Sequence, residues 1–251
     1  MIYYWWSINR NAKTFLISNG MKAEIAQKII KESRESYDKI AKQFSASRTH
    51  FWPELNFIAE LLPPEGSILD VGCGNGRLLH ILQNSRLQYT GVDSAQALLN
   101  EAKNLYPEKN FILADALALP FADETFDAVV SLAVLHHIPS KELRNKFFFE
   151  AARVLKPGGI MIITVWNFWR WRWIKELIAS LLSKIIHPRT SDLGDMNMTF
   201  GPLKTPRYLH AITKHELSSL AAAFNLETKT ISTINSPDGN RSNLLLIARK
   251  V

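Results

Sequence analysis

Three acidic residues stand where three consecutive predicted strands end, and a glycine-rich turn follows the first of them. Asp70, Asp93 and Asp115 close the three strands, and residues 70–76 read DVGCGNG, which places Gly72 and Gly74 directly after the first acid. Because the carboxyl ends of parallel strands open on one crevice, the three carboxylates are predicted to converge on one ligand. Asp70 is placed to attract a cationic amine, Asp93 to bind ribose hydroxyls and Asp115 to accept from an adenine amino group.

The glycine spacing distinguishes this turn from a dinucleotide-binding turn. Dinucleotide folds use G-x-G-x-x-G and seat a pyrophosphate at the helix N-terminus, whereas this chain has G-x-G-x-G. Asp70, two residues before the first glycine, would repel a pyrophosphate. A ligand with an amine, a ribose and an adenine but no phosphate is S-adenosylmethionine (SAM). A nicotinamide oxidoreductase is disfavoured on the same grounds.

The segments that must position these residues alternate between strand and helix patterns. Strand patterns lie at 68–71, 88–92, 110–113, 126–132 and 160–166, and helix patterns at 77–84, 95–106 and 141–155. This alternation predicts an α/β fold, a Rossmann-like, doubly wound, mostly parallel seven-stranded sheet with helices on both faces. The last two strands, 228–234 and 243–249, are joined by the turn SPDGN and must pair antiparallel, which predicts an antiparallel edge strand.

The chain is predicted to form one domain with two additional segments. Residues 22–251 form the domain, after an N-terminal extension, residues 1–21, that is predicted to be disordered. Residues 168–206 interrupt the alternation and are predicted to be a helical insert or lid. Within it, WNFWRWRW (166–173) combines aromatic residues with arginines, a composition that suits base stacking and phosphate contact. The helix that follows has an apolar stripe, and four interpretations of this stripe stay open: burial in the protein, contact with RNA, contact with a partner helix and contact with a membrane surface.

Composition limits the classes of protein that this chain can represent. Hydrophobic residues make up 47% and charged residues 21%, the balance of a soluble, core-forming chain, and the net charge of +7 favours polyanionic partners. The single cysteine, Cys73, excludes an internal disulfide and fits the cytoplasm. The apolar stretch 160–169 is shorter than the roughly 20 residues of a membrane span, so no transmembrane span is expected. No residues have metal-ligand spacing, so no metal is expected.

Four stretches resemble successive motifs of the class I SAM-dependent methyltransferases. They read LDVGCGNG, GVDSA, ADALALPFADETFDAVVSLAVLHHI and RVLKPGGIMIITVW, in that order over about residues 67–166. The resemblance implies SAM as the methyl donor and S-adenosylhomocysteine as the product. The residues that it implies for SAM are Asp70, Gly72, Gly74 and Leu132 at the methionine amine, Asp93 and Ser94 at the ribose, and Asp115 and Ala116 at the adenine.

The flanking stretches resemble the tRNA wobble-uridine carboxymethyl methyltransferases, which esterify the carboxylate of 5-carboxymethyluridine in the anticodon. These stretches are YDKIAKQFSASRTHFWPEL (37–55) and RYLHAITKHEL (207–217). The resemblance implies a tRNA substrate, Tyr37 and Arg48 over the methionine end of SAM, and, as in the eukaryotic members, a small activator protein. Ser47 stands where the subgroup has threonine and Leu209 where it has tyrosine, so the departures concern the substrate side.

A carboxylate acceptor determines which catalytic residues are expected. A carboxylate is already a nucleophile at neutral pH, so its methylation needs in-line geometry and a cation that positions it. Arg207 is the candidate clamp, because a guanidinium pairs bidentately with a carboxylate. Tyr208 and His210 are candidates for hydrogen bonds or base stacking.

Other classes of function stay open at this stage. In a small-molecule O-, N- or C-methyltransferase, His137 would act as a general base and the insert would close a dry pocket. Alternatively, His136 or His137 only packs against or caps the neighbouring helix. A SAM-binding module without catalysis would bind SAM and transfer no methyl group.

Overall fold

A computed structural model of the chain describes residues 20–48, 50–83, 85–187, 189–200 and 205–251. The predicted disorder of the N-terminal extension concerns residues that lie outside these ranges, apart from Gly20 and Met21. Met21 is buried against Ala26 and Tyr208, so this last residue of the predicted extension packs against the domain.

The described elements follow the predicted alternation. In chain order they are α1 (Ala23–Ala46), α2 (Ile58–Leu61), β1 (Glu65–Val71), β2 (Arg86–Asp93), α3 (Gln96–Leu105), β3 (Asn110–Leu113), β4 (Phe126–Leu132), α4 (Lys141–Val154), β5 (Leu155–Trp166), α5 (Ile174–Ile186), β6 (Asp195–Phe200), β7 (Thr205–His210), α6 (Lys214–Ala223), β8 (Leu226–Asn235) and β9 (Ser242–Lys250). Short 3₁₀ turns cover Pro53–Leu55, Arg77–Ile81, Leu135–His137 and Trp171–Trp173. The helix predicted over 77–84 is therefore a 3₁₀ turn.

The main sheet has seven strands in the order β3-β2-β1-β4-β5-β9-β8. The pairs from β3 to β5 are parallel, and β9 is antiparallel to both of its neighbours. The doubly wound, mostly parallel seven-stranded sheet is thus confirmed, with one antiparallel strand. That strand lies one position inside the edge, which corrects the prediction of an antiparallel edge strand.

The patterns of the last two strands explain this arrangement. The segment of β9 from Ser242 to Leu246 is buried at every residue, so it requires a strand on each side. Most residues of β8 are exposed or half-buried, a pattern that suits the edge of a sheet. Because β8 reverses the direction of β9 again, the edge strand runs parallel to β5.

Helices cover both faces of the sheet, and each face has its own hydrophobic core. Successive residues of a strand point to opposite faces, so Leu69 joins the cluster that contains Phe147 of α4, and Ile68 joins the cluster that contains Leu99 of α3. None of the helices among the described residues is long and apolar enough to span a membrane.

The segment between β5 and α6 is only partly helical, whereas the sequence predicted a helical insert or lid over 168–206. It contains α5, but its second half forms a separate two-stranded antiparallel sheet in which β6 pairs with β7. Met196 of β6 is buried with Phe168 and Leu209, so alternating apolar residues attach this hairpin to the chain that follows β5.

Candidate active site

A cavity of about 370 Å³ opens at the carboxyl ends of the parallel strands. It brings together twelve of the residues predicted for the site: Tyr37, Arg48, Asp70, Gly72, Gly74, Asp93, Ser94, Asp115, Ala116, Leu132, His137 and Arg207. This is the position in which open α/β sheets bind their ligands.

The glycine-rich turn after β1 brings the backbone close to the ligand. The N–H groups of Gly72 and Cys73 both donate to the carbonyl of Val92, at 2.8 and 3.0 Å, which ties the turn to β2. Gly72 has a φ of +75°, and a Cβ at this position would lie 2.3 Å from Cγ2 of Val134. Only glycine satisfies both the backbone conformation and the close approach.

Asp70 is a buried carboxyl group on the floor of the cavity. Tyr89 donates a hydrogen bond from its hydroxyl to Oδ2 of Asp70 at 2.8 Å. Burial raises the pKa of Asp70 to about 7, although the Tyr89 hydrogen bond and the charge of Arg77 act in the opposite direction. A carboxyl group in this state gains most from a cationic partner, because the cation offsets the cost of burying the negative charge.

Backbone hydrogen bonds orient the two other acids. Oδ2 and Oδ1 of Asp93 accept from the N–H groups of Gly74 and Ala95, each at 2.9 Å. Burial raises the pKa of Asp93, and these backbone hydrogen bonds oppose the rise. Oδ1 of Asp115 accepts from the N–H of Leu117 at 2.8 Å, so the turn after β3 holds its carboxylate. The three acids are therefore presented by three adjacent strand ends.

Arg207 and His137 form a cluster in the cavity with Tyr37, the residue that was predicted to lie over the methionine end of SAM. Nη2 of Arg207 donates to the Tyr37 hydroxyl and lies 3.4 Å from Nε2 of His137. The guanidinium carbon of Arg207 lies 4.9 Å from the centre of the Tyr37 ring and 5.4 Å from that of Trp166. Burial lowers the pKa of Arg207 to about 10, so the guanidinium stays charged at neutral pH.

His137 is neutral, and its hydrogen bonds define its tautomer. Nδ1 lies 3.2 Å from the carbonyl of Tyr208, which can only accept, so Nδ1 carries the proton. Nε2 then accepts from the Tyr37 hydroxyl at 3.0 Å. Burial lowers the pKa of His137 to about 4. An imidazole with this pKa is a weak base at neutral pH.

Tyr208 and His210 lie outside the cavity, which corrects the prediction that their side chains contact the acceptor. The Tyr208 hydroxyl donates to Oδ1 of Asp195 at 2.5 Å, and Nδ1 of His210 lies 2.7 Å from the same oxygen. Successive residues of a strand point in opposite directions, so Tyr208 faces away from the cavity because Arg207 faces it. The alternation of the strand was thus a signal in the sequence that could have placed the Tyr208 side chain outside the cavity.

The cavity also contains residues that the sequence analysis did not assign to it. Among them are Arg34, Phe44, Arg77 and Trp166. Arg34 and Phe44 lie on α1 at helical spacing from Tyr37, so the periodicity of this helix would have revealed them. Arg77 follows the glycine-rich turn, and its guanidinium lies 3.7 Å from the ring centre of Trp52, which also lines the cavity. Burial lowers the pKa of Arg77 to about 9.

The cavity carries charges of both signs. The carboxylates come from the ends of β1, β2 and β3, whereas the arginines come from α1, from the segment after α1, from the turn after β1 and from β7. Charges of both signs suit a ligand with a cationic centre next to a second, anionic ligand. Within the described ranges, no group of three or more histidine, cysteine or acidic residues could hold a metal ion.

Comparison with known proteins gives the same classification as the geometry. A family model described as "Methyltransferase domain" matches residues 69–163. A tRNA (carboxymethyluridine(34)-5-O)-methyltransferase from Arabidopsis thaliana is 38% identical over 160 residues, which cover 64% of this chain and 38% of that protein. Residues 69–163 thus match a methyltransferase domain, and the chain is similar to SAM-dependent methyltransferases, a similarity that supports SAM as the cofactor. Within that class it resembles the carboxymethyluridine methyltransferases, and it spans less than half the length of the curated relatives it matches.

Solved structures share the fold. A SAM-dependent methyltransferase from Methanosarcina mazei superposes with a TM-score of 0.67 at 23% identity, covering 80% of this chain and 99% of that one. A methyltransferase in complex with the Trm112 methyltransferase activator, from Haloferax volcanii, matches with a TM-score of 0.62 at 16% identity, over 86% of this chain and 96% of that one. At these identities the similarity concerns the fold alone.

Proposed function

We propose that this protein transfers a methyl group from SAM to the carboxylate of a 5-carboxymethyluridine-type base at the wobble position of a tRNA. The observation that carries the proposal is the cluster of Arg207, Tyr37 and His137, in which a charged guanidinium lies beside a neutral imidazole inside the cavity. The names of the relatives supply the substrate class.

We call the part of the cavity that contains the three acids the cofactor side, and the part that contains Arg207, Tyr37 and His137 the acceptor side. The chemical groups of the cofactor side match those of SAM. The buried carboxyl of Asp70 would hold the methionine amine, Asp93 the ribose hydroxyls and Asp115 the adenine amino group. The raised pKa of Asp70 is what a carboxyl group shows before its cationic partner binds. When bound, SAM supplies a methyl group on a positively charged sulfur, and S-adenosylhomocysteine leaves with the electron pair of the broken carbon–sulfur bond.

The acceptor side of the cavity favours a nucleophile that needs no base. A hydroxyl or amine acceptor must lose a proton, and His137 is poorly suited to take it because its pKa is about 4 and its Nε2 already accepts a hydrogen bond. A carboxylate oxygen attacks the methyl carbon directly, and no proton moves. Arg207 would hold that carboxylate, and orientation would supply most of the rate enhancement.

The proposed tRNA substrate also indicates the partners of this protein and its cellular compartment. Arg34, Arg48 and Arg77 line the cavity with positive charge, as expected for an approach of RNA phosphates, and the chain as a whole carries +7. We infer a small activator protein as a second partner, supported by the Haloferax volcanii complex of the same fold. The cytoplasm is the compartment that fits a tRNA substrate and a single buried cysteine.

Methyl transfer to defined RNA tests this proposal. The purified protein, alone and with an activator, is incubated with methyl-labelled SAM and tRNA that carries 5-carboxymethyluridine. The matched controls are the same tRNA without the carboxymethyl group and a small-molecule extract of the host. Label in the first tRNA alone supports the proposal. Label in the extract, with none in either RNA, would identify a small-molecule methyltransferase instead.

A further inference from the structure

Behind β7 lies a closed ring of hydrogen bonds and ion pairs among charged residues that are buried or half-buried, and His210 belongs to it. The ring runs through Asp192, Asp195, His210, Glu216 and Arg144 and returns to Asp192. Its side chains are between 3% and 21% exposed, so their interactions are little screened by solvent. We call these five residues the β7 ring.

Asp195 forms the half of the β7 ring that lies on β6. Its Oδ1 is 2.7 Å from Nδ1 of His210 and accepts from the Tyr208 hydroxyl at 2.5 Å. Its Oδ2 accepts from the N–H of Asp192 at 2.6 Å. Two side chains of β7 are therefore bound to one carboxylate of the neighbouring strand.

Glu216 and Arg144 connect His210 to the two helices that pack on this side. Nε2 of His210 lies 3.3 Å from Oε2 of Glu216, whose Oε1 accepts from Nε of Arg144 at 2.7 Å. Nη2 of Arg144 lies 3.5 Å from Oδ2 of Asp192. The β7 ring thus joins α4, α6 and the hairpin of β6 and β7.

Both ring nitrogens of His210 face carboxylate oxygens, of Asp195 and of Glu216. A carboxylate only accepts, so the imidazolium, with a proton on each nitrogen, is the form of His210 that satisfies both contacts. The charged groups around it are Asp195 on β6, Glu216 on α6 and Arg144 on α4, and His136 lies nearby as a neutral group. Burial alone would lower the pKa of His210, but the hydrogen bonds to Asp195 and Glu216 outweigh burial and raise it.

We propose that His210 is a positioning residue, which holds β7 against α4 and α6 so that Arg207 faces the acceptor and the Tyr208 carbonyl orients His137. The link is direct, because Arg207 is on the same strand and the Tyr208 carbonyl accepts from Nδ1 of His137 at 3.2 Å. The inference rests on the proposed function and deepens it by naming what aligns the acceptor side.

This role has a pH signature opposite in sign to that of a general base. A general base works when it is deprotonated, so its rate rises with pH. His210 holds β7 when it is protonated, so the rate of methyl transfer falls at alkaline pH as the imidazolium loses its proton. Deprotonation would leave one ring nitrogen facing a carboxylate without a hydrogen to donate.

The test compares His210→Ala, His210→Asn and Tyr208→Phe with His215→Ala, which alters an exposed histidine next to Glu216. The readouts are kcat and KM for the tRNA from pH 6 to 9, and the Kd of SAM. We expect kcat of His210→Ala to fall by about 10- to 100-fold, as for loss of other orienting partners, and its alkaline decline to vanish. The Kd of SAM should change less than threefold. Tyr208→Phe should lower kcat by less, and His215→Ala should match the wild type.

Two results would overturn the role of His210: wild-type kcat in His210→Ala, or a reduced kcat with the alkaline decline unchanged. If thermal melting shows that His210→Ala does not fold, His210→Asn and Tyr208→Phe carry the same comparison. Nitrogen NMR of the histidines in the wild-type protein, without any substrate, separates this inference from the proposed function. A neutral His210 at pH 7 refutes the inference. An imidazolium in a protein that methylates no tRNA supports the geometry and refutes the proposed function alone.

Discussion

The two sides of the cavity are built in different ways. On the cofactor side, Asp93 accepts from Ala95 at a separation of 2 positions and from Gly74 at a separation of 19, and Asp115 accepts from Leu117 at a separation of 2, so contacts of short sequence separation orient these groups. On the acceptor side, Tyr37 contacts His137 at a separation of 100 positions and Arg207 at a separation of 170. The cofactor side is encoded locally, whereas the acceptor side exists only once distant elements have packed.

This difference predicts that the two sides can be damaged separately. A substitution on the cofactor side should weaken SAM binding, and one on the acceptor side should slow transfer while SAM still binds. The β7 ring belongs to the second group, because it supports β7 and contributes no residue to the cavity lining. The following predictions test this separation, from the largest expected effect to the smallest.

Replacement of Arg207 by alanine should give the largest loss of activity. We expect kcat/KM for the tRNA to fall by about 10²–10³-fold, the cost of losing a preorganised electrostatic contact. Arg207→Lys should recover only part of this loss, because an ammonium lacks the bidentate geometry of a guanidinium. The Kd of SAM, measured by calorimetry, should stay within threefold of the wild type in both variants. If SAM binding falls as much as the rate, Arg207 belongs to the cofactor side and the separation is wrong.

Asp70→Asn should produce the reverse pattern. The amide keeps the shape of the carboxyl group but loses the charge that attracts the SAM amine, so the Kd of SAM should rise by about 100-fold, as for other charge-assisted hydrogen bonds. Glu108→Gln, which removes an exposed acidic group, is the matched control and should bind SAM normally. Wild-type SAM affinity in Asp70→Asn would show that the amine is held by other groups.

Gly72→Ala tests how tightly the cofactor side is packed. Gly72 and Gly158 have φ values of +75° and +74°, but a Cβ meets Val134 at the first position and nothing within 4 Å at the second. Gly158→Ala should therefore lower the free energy of unfolding by about 1 kcal/mol through backbone strain, and Gly72→Ala by about 2–4 kcal/mol through strain and overpacking. Val134→Ala in the Gly72→Ala background should recover part of the difference. Equal losses in urea denaturation would exclude the steric contribution.

The pH dependence of stability tests the state of Asp70 in the protein without ligand. Burial raises its pKa from 3.8 to about 7, so the folded protein binds a proton that the unfolded chain has released. The stability from this group is fully present below pH 3.8 and is lost as pH rises to 7. Relative to Asp70→Asn, the wild type should lose up to about 1.4 kcal/mol per pH unit between pH 5 and 7, and little above that. Parallel curves for the two proteins would contradict a raised pKa.

The locally encoded side is also the one that the sequence predicts well. Asp70, Asp93 and Asp115 could be placed because each ends a strand with a clear apolar pattern, and the glycine spacing identified the turn between them. The parallel direction of the strands up to β5 follows from the same alternation. These signals lie within a few residues of the groups that they position, so no tertiary contact is needed to interpret them.

The acceptor side is harder to predict because it depends on contacts between distant segments. Tyr208 and His210 had suitable chemistry, but their partners Asp195 and Glu216 are identified only when β6 and β7 pair and α6 packs. The position of β9 inside the sheet likewise depends on tertiary contacts, because the buried β9 pairs with a strand on each side whereas the exposed β8 pairs on one side only. Residue type alone therefore did not distinguish Arg207, which lines the cavity, from Tyr208 and His210, which pack outside it.

Alkaline hydrolysis of methyl-labelled tRNA is the measurement that tests the central claim most directly, namely that the acceptor is a carboxylate. The protein labels tRNA that carries 5-carboxymethyluridine, and the RNA is then treated briefly with base. Release of the label as methanol, together with its absence from tRNA incubated with Arg207→Ala, is the predicted result, because only an ester is cleaved in this way. Label that stays on the nucleoside would mean that a nitrogen, carbon or hydroxyl group was methylated, and would contradict the account.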